Sequence, residues 1–358
     1  MRWNFICCAT ALIAFVSAPA AVSIADIDAA PLEHRAALKF LLDNMPERDS
    51  TSLTREFLFE NVALALEARN SCPWGAAIPD EIFLNHVLPY ASVNERRDNW
   101  RKDFIARFGP LVKDCKTPGD AALMLNANMF KQINVSYHPT KRPKPDQSPF
   151  ESIEANYASC SGLSILLIDA CRAVGVPARF VGTPSWNNGQ ADANGNHGGN
   201  HSWVEIWDGQ WHVLGAIEAT PLDSTWFLGN ASKANPARAV NCIYAASFKK
   251  TGLSFPLVWD ESIKYVPAED VTLSYINRVK TKIQVIEKPV GPRVSAHLTL
   301  RLKGRLIADM DFKDTAEVTL SAGQEYQATV TGSDYDGAPQ VITAPADSGR
   351  IVTIVLGR

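Results

Sequence analysis

Cys160-Ser161-Gly162-Leu163-Ser164-Ile165-Leu166-Leu167-Ile168-Asp169-Ala170-Cys171-Arg172-Ala173-Val174-Gly175-Val176-Pro177 is the stretch whose reading decides the fold. Leu163, Leu166, Leu167, Ala170, Cys171 and Val174 recur at helical spacing, so the segment reads as a helix with one strongly apolar face. Gly175 is a suitable C-terminal stop and Pro177 prevents continuation. Cys160 opens this helix within Tyr157-Ala158-Ser159-Cys160-Ser161-Gly162-Leu163. A helix start offers unpaired N–H groups and the positive end of the helix dipole. That setting favours the thiolate, the form of cysteine that acts as a nucleophile. Cys171 falls on the apolar face and is expected in the core.

Beyond the helix, residues 178–183 read as a short strand and residues 186–200, rich in Asn, Gly, Ala and Asp, as an exposed loop. His201-Ser202-Trp203-Val204-Glu205-Ile206-Trp207 then reads as a strand, with His201, Trp203, Glu205 and Trp207 on one face and Ser202, Val204 and Ile206 on the other. Asp208-Gly209 predicts a two-residue hairpin turn, with residues 210–214 as the returning strand. A helix followed by an antiparallel sheet argues for an α+β fold rather than a doubly wound parallel sheet. A histidine brought beside Cys160 by such a fold would complete an acyl-transfer pair.

The flanks differ in texture. Residues 31–140 read as a helical N-terminal region: Leu38, Leu41 and Leu42 share one helical face, and Leu58, Val62, Ala65 and Leu66 another. Residues 99–108, with Trp100, Phe104 and Phe108 among charges, read as an amphipathic helix. Residues 138–150 hold four prolines and three basic residues and suit either a stiff surface linker or a wall of the cleft. Residues 141–280 would form the core that carries the chemistry. From 285 to 358, short alternating runs such as Ala296-His297-Leu298-Thr299-Leu300-Arg301-Leu302 predict an appended β-sandwich.

The length of 358 residues suits two or three domains, and the formal net charge of -3 gives no electrostatic footprint for nucleic acid or an anionic membrane. Arg2, an apolar run from residue 5 to 16 and Ala18-Pro19-Ala20 read as a signal peptide over residues 1–20, so the expected location is secreted or periplasmic, with no membrane contact after its removal. Cleavage leaves Cys72, Cys115, Cys160, Cys171 and Cys242. Cys72 and Cys115 form either a disulfide or two small buried apolar side chains. Asn-x-Ser triplets occur at Asn134, Asn200 and Asn230, and a glycan on Asn200 would block a cleft at His201; a cell without that modification, such as a bacterium, is the better setting.

Arg172-Ala173-Val174-Gly175-Val176-Pro177-Ala178-Arg179-Phe180-Val181-Gly182, after Cys160 and before His201-Ser202-Trp203-Val204-Glu205 and Gly209-Gln210-Trp211, resembles the transglutaminase-like superfamily over roughly residues 150–228, in a bacterial secreted branch. The resemblance implies a papain-like thiol fold with cysteine at a helix start and histidine and an acid on the strands that follow. It implies Cys160 as nucleophile and His201 as base. The family's third residue is usually an aspartate four places after the hairpin tryptophan, where this chain has Gly215. Glycine cannot accept the imidazole N–H that fixes the ring tautomer. Glu218 is the nearest acid downstream and the favoured third residue; Asp223, or a site running on Cys160 and His201 alone, remains open.

The expected function is therefore thiol-dependent acyl transfer that hydrolyses peptide or carboxamide bonds in a peptide or protein substrate. Transglutaminase-type cross-linking and a catalytically inactive peptide-binding module are the alternatives. No metal or organic cofactor is expected. His197 and His201 form a His-x-x-x-His pair with His212 nearby, but across a Gly-Asn loop rather than on a helix, which argues against zinc. Trp203, Trp207 and Trp211 read as hairpin and core packing.

Overall fold

The computed structural model describes residues 24–186 and 199–356. The expected signal peptide and His197 lie outside the described residues. The helix Cys160–Ala173 forms as the periodicity requires, and every residue from Ser161 to Ala173 is buried; Cys160 alone is partly open to solvent. Gly175 ends it at φ +78°. A side chain there would press on the Ala68 carbonyl and the Cys72 sulfur, and the Gly175 carbonyl accepts the Trp74 indole N–H at 3.0 Å. Only glycine combines that backbone angle with that closeness.

The cysteine helix packs on a five-stranded antiparallel sheet. Its order is Trp211–Leu214, His201–Trp207, Ala178–Thr183, Tyr244–Ala246, Ala268–Asp270. Arg101–Val112, Pro118–Gln132 and Arg55–Ser71 also pack against the cysteine helix, and Leu32–Asn44 packs on Arg55–Ser71. Leu38, Leu41, Leu58, Val62, Phe104, Phe108, Leu166, Ile168, Val204 and Ile206 belong to one continuous cluster of buried apolar side chains. The N-terminal helices and the sheet thus share a single core. Two buried arginines tie this assembly together. Arg101 donates to the carbonyls of Arg172 at 2.9 Å and Val87 at 3.0 Å, and Arg172 donates to those of His86 at 3.1 Å and Ala91 at 2.9 Å. Such bonds satisfy carbonyls where the chain leaves regular structure inside the core.

The strand-rich C-terminal region forms two packed sheets. One runs Arg305–Phe312, Ala296–Leu302, Glu325–Gly332, with Gln340–Thr343 also on Glu325–Gly332; the other runs Ala316–Ser321, Arg278–Ile286, Ile351–Val355. Their inward side chains, among them Ile283, Leu298, Leu300, Val318 and Val330, form a second core. The first strand begins at Arg278, ahead of residue 285.

Two local expectations are corrected. Trp207 pairs with Trp211, so three residues rather than two close the hairpin, with Gly209 at φ +72°. The extra residue docks on the sandwich: Gln210 bridges to Ala308, its Oε1 accepts from the Thr319 N–H at 3.0 Å, and Asp309 N–H donates to the Gly209 carbonyl at 2.7 Å. A tertiary contact has set the loop length. Cys72 and Cys115 are separate free thiols, each partly buried against the main core, so the disulfide alternative does not hold here.

Candidate active site

The N-terminus of the cysteine helix is left chemically open. Ser159 stands at the N-cap but makes no side-chain cap bond; its hydroxyl donates instead to the Pro145 carbonyl at 3.4 Å. The first N–H groups beside Cys160 therefore have no side-chain acceptor from the cap. Adjacent residues hold the helix start against the strand start: the hydroxyls of Ser161 and Ser202 are hydrogen-bonded at 3.2 Å, both buried. Cys160 and His201 flank that bond. They line one cavity of about 500 Å³ together with Glu218, Tyr137, Leu163, Trp186, Ile217 and Trp226.

His201 pairs across the sheet with Thr183 and sits among aromatic rings, with centroid distances of 4.8 Å to Phe227, 5.1 Å to Trp226 and 5.8 Å to Trp203. Its Nε2 is buried and has no hydrogen-bond partner. Burial pushes its protonation down to about 4, so the ring is neutral at neutral pH. Cys160 and His201 face the same cavity without a hydrogen bond between them in this resting arrangement.

The loop after the hairpin carries the acid. Asn126, on the helix Pro118–Gln132, clamps it: Nδ2 donates to the carbonyls of Gly215 at 2.9 Å and Glu218 at 2.7 Å, and Oδ1 accepts the Ile217 N–H at 2.7 Å. A side chain built on Gly215 would coincide with the Glu218 carboxylate. Glu218 thus fills the space that a residue 215 side chain would occupy. Its carboxyl is raised by burial, an effect partly offset by the Trp226 indole N–H, which donates to Oε1 at 2.8 Å. The expected Glu218–His201 hydrogen bond is not formed in this arrangement; Trp226 holds the carboxylate instead.

Residues 107–216 match the model of the Transglutaminase-like superfamily. Over that segment the chain is transglutaminase-like. The match takes in Asn126, Cys160, His201 and Gly215 and stops short of Glu218. It begins well before residue 150, because helix Pro118–Gln132 is part of the matched core rather than an extension. Among solved structures, a Cytophaga hutchinsonii protein designated a candidate cysteine protease is similar at 18% identity and TM-score 0.27, over 48% of this chain and 58% of that one. Red sea bream transglutaminase is similar at 12% identity and TM-score 0.34, over 76% of this chain and 60% of that one. The chain therefore spans less than two thirds of either structure. No curated protein matches it.

The other candidates of the transglutaminase-like core fall elsewhere. Asp223 accepts from His212 at 2.7 Å, from Arg278 at 3.0 Å and from the Val213 N–H at 3.1 Å. Burial alone would raise its carboxyl, but His212 and Arg278 outweigh that and bring it down to about 2. Asp223 is thus committed to His212 rather than His201. Trp203 is buried and donates to Tyr275 at 2.8 Å. Arg179 and Glu205, prominent in the motif, pair across adjacent strands. The proline-rich segment is preceded by Tyr137, whose ring lines the cavity; its basic residues do not, and Lys144 pairs with Glu151 at 3.0 Å. Sequence reasoning missed Asn126, Trp186 and Trp226. Among the described residues, no three His, Cys, Asp or Glu side chains are grouped to hold a metal ion.

The buried histidine makes stability depend on acid. In the unfolded chain His201 titrates near its ordinary value of about 6.5. Between that value and about 4 the unfolded chain binds a proton that the folded chain does not, so stability falls as pH drops through this window. The full loss is roughly 3 kcal/mol. His86, held neutral by burial and by Arg179 and Arg172, acts in the same direction, while Glu218, raised by burial, opposes it. Urea unfolding at several pH values should give a shallower acid loss for His201→Ala than for the wild type. Parallel curves would contradict the assignment.

Proposed function

We propose that the protein is a thiol-dependent hydrolase of peptide or carboxamide bonds. The observation that carries this reading is one cavity lined by Cys160, His201 and Glu218, with Cys160 the sole solvent-accessible residue of an otherwise buried helix. In the proposed reaction the Cys160 sulfur attacks the carbonyl carbon while His201 takes the thiol proton. The tetrahedral oxyanion accepts hydrogen bonds from backbone N–H groups at the uncapped helix start. The C–N bond breaks as His201 returns the proton to the leaving amine. Water, deprotonated by His201, then cleaves the thioester to give the acid and the free thiol. An amine in place of water would form a new amide, the cross-linking outcome. The substrate is a peptide or protein and the location secreted or periplasmic; among the described residues no helix is long and apolar enough to cross a membrane. Glu218 is the carboxylate on the same cavity that would orient His201 once released from Trp226.

The competing reading, a peptide-binding module without catalysis, draws on the unpartnered His201 Nε2. Thiol alkylation separates the two. At neutral pH, iodoacetamide should modify Cys160 much faster than the buried Cys171 and Cys242, and Cys160→Ala should lose the fast phase. Labelling at one common slow rate would reject the hydrolase reading.

A further inference from the structure

Glu218 faces two possible donors and is bonded to one of them. The ionisable side chains lining the cavity are Tyr137, Cys160, His201 and Glu218. Among the described residues Glu218 is therefore the only carboxylate there for His201, yet its Oε1 is taken by the Trp226 indole N–H while His201 Nε2 lies buried without a partner. A buried polar nitrogen left unpaired is unfavourable, so a rearrangement that pairs it has a driving force. The backbone of the loop is fixed by Asn126, which leaves the Glu218 side chain as the element that moves. Its surroundings permit the movement, because Gly215 contributes no side chain.

Trp226 has the matching properties. Its ring lies 5.1 Å from that of His201 and 5.6 Å from that of Phe227, yet the residue is 64% exposed. An indole so open to solvent leaves its place with little loss of buried apolar surface. It lines the same cavity as Cys160, so a substrate that fills the cavity meets the indole.

We propose that Trp226 is a positioning residue that partitions the Glu218 carboxylate between a resting bond to the indole and a working bond to His201 Nε2, and that substrate entering the cavity displaces the indole and so delivers Glu218 to His201. The substrate shifts the balance because it fits only the arrangement with the indole withdrawn. This rests on the hydrolase reading of Cys160 and His201, but its test does not require turnover.

Trp226→Phe keeps an aromatic ring and removes the N–H. The titration of the His201 ring protons, followed by NMR, is expected to move its midpoint up by about one pH unit or more relative to the wild type, as a freed carboxylate pairs with the imidazole. Trp226→Ala should give the same upward shift, and adding Glu218→Gln to Trp226→Phe should abolish it. An unchanged midpoint in both single variants overturns the proposal, as does a shift that survives Glu218→Gln. If Cys160 shows no rapid alkylation, the hydrolase reading fails separately, while the His201 titration still decides what Trp226 does.

Discussion

Replacing His201 by alanine is expected to lower turnover of a peptide or amide substrate by ~10³-fold or more, without unfolding the protein. The thiol must give up a proton as it attacks, and the leaving amine must receive one. Among the described residues His201 is the only imidazole on the cavity of Cys160, and burial, by holding it neutral at neutral pH, leaves it available as the acceptor. What survives in His201→Ala comes from the uncapped helix start, whose N–H groups still stabilise an oxyanion. The measurements are kcat/KM on the best substrate from a peptide library and the pH dependence of Cys160 alkylation. Activity within about tenfold of the wild type would remove His201 from the mechanism.

How much of this site could be read beforehand depends on how locally each part is determined. The cysteine helix was legible because its apolar spacing, Gly175 and Pro177 all fall within one short stretch of sequence, residues 163–177. The histidine strand was legible because its β-branched and aromatic residues lie together just before the Asp208-Gly209 turn, and from Ser202 onward it is buried on both faces. The hairpin turn was misread by one residue because its length answers to Ala308 and Thr319, about a hundred positions away. Asn126 had no signal at all: an asparagine on a helix announces nothing about a loop ninety residues later, and only the fold brings its amide to Gly215, Ile217 and Glu218. Trp226 follows a stretch without periodicity, and its role depends on which carboxylate it meets. The N-terminal region was read as helical and no further, because an amphipathic face reveals that it is covered and not by what; its helices share the core of the sheet.

The largest loss of stability is expected from Arg179→Ala. Arg179 and Glu205 stand opposite each other on neighbouring strands, Glu205 being on the strand that begins with His201. Their side chains are 6% and 3% exposed. The guanidinium bonds Glu205 Oε2 through Nε at 2.7 Å and Nη2 at 2.6 Å, reaches Glu269 at 3.4 Å and lies 3.7 Å from the centre of the Trp211 ring. The other Glu205 oxygen accepts from Tyr275, which in turn accepts from Trp203. Removing the arginine leaves a carboxylate in the interior with one neutral donor and only Arg305, which makes no hydrogen bond to it, as a counter-charge. Breaking a buried pair in this way costs about 3–5 kcal/mol, well beyond the value of a surface ion pair, because the stranded charge loses its compensation for desolvation. Removing both charges should be milder. Arg179→Met with Glu205→Gln restores apolar bulk beside Trp211 and keeps an acceptor for Tyr275, so the double variant should be more stable than Arg179→Ala. Urea unfolding of the wild type, the single variants and the double variant measures the coupling. A loss below about 1 kcal/mol for Arg179→Ala would mean that solvent reaches Glu205 and that the pair does not hold the histidine strand in register.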